Sequence, residues 1–194
     1  MNSRIWLLIA VSASLLCGLC QAASIPVDVE HSSLKVRVFK SGFFSGFAHD
    51  HEIAAPLSSG AVDAAALSVE VHFDARKMTV LDPDVSPSDR AKVQETMLSD
   101  KVLDAQRYPE IAFVSRSVKA SGTNAYAVEG DLTLHGVTHS ITVPVSFAGG
   151  HYTGSVKLKQ TDFGIVPIKL FGGSVKVKDL VEISFDVVVA GGLP

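Results

Sequence analysis

The densest group of reactive side chains in this sequence is His49-Asp50-His51-Glu52. In an extended strand alternate residues share a face, so His49 and His51 would project together, as two ligands of one metal ion do. Zinc needs a third and usually a fourth donor. His31, His135 and His139 are available, but no spacing ties any of them to the pair. The same imidazoles could instead hydrogen-bond the polar end of a ligand or close an opening, because a neutral imidazole both donates and accepts. They also fit a solvated or structurally bonded strand end. Just upstream, the glycines Gly42 and Gly46 and the phenylalanines between and beside them read either as a flexible apolar lid or as a bulged strand with buried aromatics. Phe43, Phe47, His49 and His51 are therefore the candidate head-group or mouth residues, and a pair of histidines alone assigns no metal site.

Other chemistry finds little support. There is no Gly-x-Ser-x-Gly elbow for an activated serine. Phe163-Gly164 and Phe171-Gly172-Gly173 precede strand-like segments rather than helices, so they read as turns and not as phosphate loops. Serine, histidine and aspartate are scattered without a recognisable context. The sequence thus points to no catalytic residue and calls for no cofactor, and the protein is expected not to be an enzyme.

The elements that would position these residues begin after an export leader. Arg4 gives a positive start, Ile5 to Leu19 is an almost unbroken apolar run, and Cys20-Gln21-Ala22 is a small-residue exit. At about 15 residues the run is short of the roughly 20 needed to span a bilayer. A cleaved signal peptide over 1–22 and one domain over 23–194 are expected, which predicts a periplasmic protein with no integral membrane segment once mature. Cleavage would remove both cysteines and the single tryptophan, so no disulfide could form and the core alone must hold the fold. Loss of Arg4 leaves 16 bases against 20 acids, a net charge of −4, which argues against nucleic acid as a partner.

The rest of the chain is dominated by period two. Leu67, Val69, Val71 and Phe73 alternate with polar residues. So do Val128 to Leu134, Ile141 to Phe147, Tyr152 to Leu158 and Val181 to Val187. Leu34 to Phe39 and Ile111 to Val118 add two further strands. Such strands have one dry face, as in an antiparallel sheet. The clearest hairpin turns at His135-Gly136, where glycine suits a positive φ. One helix interrupts the strands. Ser86 can cap it, Pro87 suits its first position, Asp89 completes a capping box, and it should end near Ser99. About eight strands with one dry face can form either two packed sheets or a closed barrel.

Residues 127–145, AVEGDLTLHGVTHSITVPV, resemble the hairpin of the YceI family. Four more segments match in the family's order: Asp28 to Ser32; Met97 to Asp100 with Leu103-Asp104 and Tyr108 to Phe113; Thr161 to Ile165; and Lys178 to Ile183. The stretch from Phe39 to Glu52 is richer in aromatics and histidine than the family's usual pattern and marks a subgroup. The resemblance implies a mainly β fold, a lipocalin-like extended antiparallel β-barrel of about eight strands with one or two short helices. It further implies binding of a polyisoprenoid or other long-chain amphiphile inside the barrel, and carries over no catalytic constellation.

By alternation the barrel lining should include Val71, Phe73, Phe113, Leu132, Leu134, Val143, Val145, Leu158 and Phe185, none of them charged. The same residues would equally make a filled core. Three functions stay open: carriage of an apolar chain, a small metal-binding protein or hydrolase using His49 and His51, and an interaction module with a solid interior. A homodimer is left open. Under any of the three, Val143→Asp should cost several kcal/mol in urea denaturation, because it sets a charge against apolar walls.

Overall fold

The computed structural model describes residues 24–41, 50–63, 65–170, 172 and 175–191. The expected leader and Phe43, Phe47 and His49 lie outside these residues. In chain order the elements are β1 (Ile25–Ser41), β2 (His51–Ala54), β3 (Leu57–Asp63), β4 (Ser68–Asp74), β5 (Thr79–Val80), α1 (Pro87–Leu98), β6 (Glu110–Gly122), β7 (Ala125–Leu134), β8 (Val137–Ala148), β9 (His151–Lys159), β10 (Lys169–Leu170) and β11 (Val175–Val189). Strands β1, β3, β4, β6, β7, β8, β9 and β11 pair side by side, and β11 returns to β1. The result is a closed antiparallel barrel of eight strands with one α-helix among the described residues.

Closure rests on the long ladder between β1 and β11, from Val27↔Val189 to Ser41↔Lys176. The segment Asp28 to Ser32, expected to precede the first strand, is instead a bulge within it. The Asp28 carboxylate accepts from the backbone N–H of Glu30 and His31, each at 3.2 Å. Ser32 Oγ accepts from Val188 N at 2.9 Å. These side-chain bonds replace ladder bonds lost at the bulge, and pairing resumes beyond it at Ser33↔Asp186 in a shifted register.

Four short strands escaped the sequence reading: β2, β3 and the two-residue β5 and β10. β3 is Leu-Ser-Ser-Gly-Ala-Val-Asp, too poor in branched residues to stand out, and β2 has only four residues. Pro56 separates them, while Ala55 N donates to Leu34 O at 2.9 Å and keeps the chain against β1. β5 pairs with β2 through Ile53↔Val80. Its other edge is covered by Gln94 of α1, whose Oε1 accepts from Val80 N (2.7 Å) and whose Nε2 donates to Met78 O (2.8 Å). One amide side chain thus does the work of a neighbouring strand.

α1 begins and ends where its caps require. Ser86 Oγ accepts from Asp89 N at 3.2 Å, and Ser99 N donates to Glu95 O at 3.0 Å. Met97 is buried and Val93 and Leu98 pack against the core, while Ala91 is exposed. The helix, β5, the segment 99–109 and the turn at Gln160–Phe163 plug one end of the barrel. Met78, Val80, Met97, Leu103, Ala105, Phe163 and Ile165 are all buried there in one cluster.

The β7–β8 hairpin is pinned to this plug. Both turn residues have positive φ, 53° at His135 and 73° at Gly136, the geometry that matches the twist of a two-residue hairpin. The His135 Nδ1–H donates to Phe163 O at 3.1 Å, and Tyr108 meets the imidazole edge-on at 4.7 Å. Higher in the barrel the inner wall is thinned by glycine. A Cβ at Gly154 would lie 2.2 Å from Pro144 O and 2.6 Å from the Phe185 ring. Gly154→Ala should therefore destabilise the barrel by about 1–3 kcal/mol in urea denaturation, although alanine is the smallest available change.

Candidate functional site

The plug fills only one end of the barrel. Toward the other end, where the β3–β4, β6–β7 and β8–β9 hairpins turn, the inward faces enclose a cavity of about 360 Å³. Phe73, Leu132 and Leu158 belong both to its wall and to the packed cluster, and so form its floor. Leu67 and Ser68 at the β3–β4 tip line it and are exposed, which places the mouth at the hairpin tips. Among the described residues no lining side chain is charged.

Alternation accounts for most of this wall. Val71, Phe73, Phe113, Leu132, Val143, Val145, Leu158 and Phe185 all line the cavity. Leu134 does not. It sits at the far end of β7 beside the hairpin turn, where the inward face meets the plug, and it packs half-buried against the core cluster. Parity gives the face a side chain joins but not its height along the barrel axis.

Tyr126, Phe147 and Tyr152 join the lining near the mouth and were not singled out from the sequence. Their signal was present, since Tyr126 is two residues before Val128 and Tyr152 opens an alternating run. The Phe147 and Tyr152 rings lie 4.7 Å apart. Partial burial raises the Tyr152 phenol above its usual pKa, and the neighbouring Tyr126 adds to the rise. Ser68 is the other hydroxyl in the wall.

His51 is placed elsewhere. It pairs with Val38 on β1, level with the floor, and is not part of the lining. Its Nδ1–H donates to Asp82 Oδ2 at 2.5 Å, and Asp82 Oδ1 accepts from Glu52 N at 2.8 Å. Asp82 is buried, so these donors satisfy a carboxylate that water hardly reaches. The bond joins β2 to the loop leading into α1. The three histidines considered as further donors have separate partners: His31 bonds Asp28, His135 bonds Phe163 O, and His139 packs edge-on against Phe163. Among the described residues no three histidine, cysteine or acidic side chains converge as a metal site.

Comparison with known proteins fits this architecture. The family model described as YceI-like domain matches residues 26–189. The chain belongs to the YceI-like family. A UPF0312 protein of Pseudomonas putida strain W619 is 36% identical over 88 residues, covering 40% of this chain and 46% of that protein. The aligned part of this chain thus spans about half the length of the curated relatives it matches. Among solved structures, Burkholderia cenocepacia BcnA superposes with a TM-score of 0.63 at 24% identity, covering 84% of this chain and 98% of that one. The Campylobacter jejuni YCEI protein superposes at 0.50 with 15% identity, covering 71% and 80%. At these identities the structural likeness speaks for the YceI barrel alone.

The His51–Asp82 bond lends itself to a direct check. Asp82→Ala leaves the His51 ring N–H and the Glu52 amide without their acceptor. A loss of about 2 kcal/mol is expected in urea denaturation.

Proposed function

We propose that this YceI-like barrel binds one long apolar chain, of the polyisoprenoid type, and carries it in the periplasm after removal of the leader. The observation that supports the reading is the cavity itself: a space closed at one end, open at the hairpin tips and walled by uncharged side chains. Binding there needs no polar contact. Each methylene moved from water into such a wall gains about 0.8 kcal/mol, so a prenyl or acyl tail supplies its own affinity. The depth of the cavity is set by the Phe73–Leu132–Leu158 floor, which suits a tail entering end-first with its head left at the rim. A volume of about 360 Å³ lies within the usual range of about 300–1,000 Å³ for small-molecule sites.

Export agrees with this role. A water-insoluble chain crossing an aqueous compartment needs a carrier, and the apolar run before Ala22 is what would send the protein there.

Native mass spectrometry of the protein purified from its source organism tests the reading. A co-purifying hydrophobic mass is expected, and an empty protein that also takes up no prenyl lipid would overturn it. Val145→Trp supplies the structural control. Val145 is half-buried and faces the cavity above the floor, so the indole should occupy ligand space and abolish the added mass. Stability should change by no more than ~1 kcal/mol, because the ring enters a void rather than a packed core.

A further inference from the structure

The polar groups of the cavity are few, and they are gathered at one end. Tyr126 is the second residue of β7 and Tyr152 the second residue of β9, with β8 between them, so both phenols sit beneath the hairpin tips. Neither hydroxyl hydrogen-bonds another protein group among the described residues. Ser68 stands at the same rim. Below them the wall is hydrocarbon down to the floor. A tail that fills the cavity would therefore bring its head group to the height of two phenolic donors.

We propose that Tyr126 and Tyr152 select the ligand by its head group, taking an uncharged hydrogen-bond acceptor such as a carbonyl and disfavouring a carboxylate or phosphate. This rests on the apolar-chain reading above. The reasoning is one of desolvation. A neutral carbonyl gives up little hydration and gains two O–H donors, each of which would otherwise lose its water as the tail seals the mouth. An anion gives up far more, and among the described residues no lysine, arginine or histidine lines the cavity to replace its counter-ion. Charges at that end of the barrel deepen the bias. Asp63 closes β3 and Asp28 and Glu30 lie in the β1 bulge, all acidic. His31 is bonded to Asp28, and Lys119, on β6 near the β6–β7 turn, is 3.8 Å from Glu129.

The test compares ligands that share one chain and differ only at the head: methyl palmitate, palmitate and hexadecane, each displacing the fluorescent probe N-phenylnaphthylamine from the full-length mature protein at neutral pH. In the wild type, methyl palmitate is expected to bind at least about tenfold more tightly than palmitate, whose carboxylate would lose hydration that the wall does not restore. Each lost hydroxyl bond is worth about fivefold. The Tyr126→Phe/Tyr152→Phe variant should therefore bind methyl palmitate roughly 25-fold more weakly while its affinity for hexadecane is unchanged. That unchanged value also shows the barrel is intact. Palmitate binding as tightly as its ester, or an ester affinity untouched by the double variant, overturns the proposal. If the probe and all three chains fail to bind, the apolar-chain reading itself is wrong and the head-group proposal falls with it.

Discussion

Closure of the sheet by the β1–β11 ladder is the constraint from which the rest follows. Once eight strands are joined edge to edge, the interior has a fixed girth, just wide enough for side chains to fill or for one small ligand to occupy. The chain then has to decide how much of that interior to pack. It packs one end completely, by folding α1, β5 and two turns over it, and leaves the other end to a ring of valine, phenylalanine and tyrosine with space between them. Within that ladder the β1 bulge is satisfied by its own side chains, Asp28 and Ser32, and β1 goes on pairing with β11 beyond it in a shifted register.

The plug and the cavity are mechanically one object. Phe73, Leu132 and Leu158 are shared between them, so a change in the plug would be felt at the cavity floor. Polar side chains brace the plug from outside: Gln94 covers the edge of β5, Asp82 receives His51 and the Glu52 amide, and His135 holds the Phe163 carbonyl. The histidine that looked reactive beside its neighbours in sequence is, in the fold, a bracing group bound to a buried carboxylate. A division of labour results, with polar chemistry at the closed end serving stability and sparse hydroxyls at the open end facing any guest.

A good share of this was legible beforehand. The barrel strands β4, β6, β7, β8, β9 and β11 were readable because each carries an alternating apolar run, and α1 was readable because Ser86, Pro87 and Asp89 write its start in three residues. β2 and β3 were not, since Leu57 to Asp63 is built of small residues whose strand character comes from the neighbours β1 and β4 rather than from propensity. For the cavity wall, parity named eight residues that do line it, yet it included Leu134 and passed over Tyr126, Phe147 and Tyr152. Alternation carries no information about height along the axis, and height is what separates wall from plug.

The sequence by itself determined that these strands have one uncharged side, where the helix starts, and that the hairpin turns at His135-Gly136, because each of those features is local and is enforced within a few residues. Only the tertiary structure decided that the ring closes through β1 and β11, that one end is solid and the other hollow, and that His51 belongs to Asp82. These depend on pairings between residues far apart in the chain, such as Val27 with Val189 and His51 with Asp82. No local pattern specifies such contacts before closure brings them together.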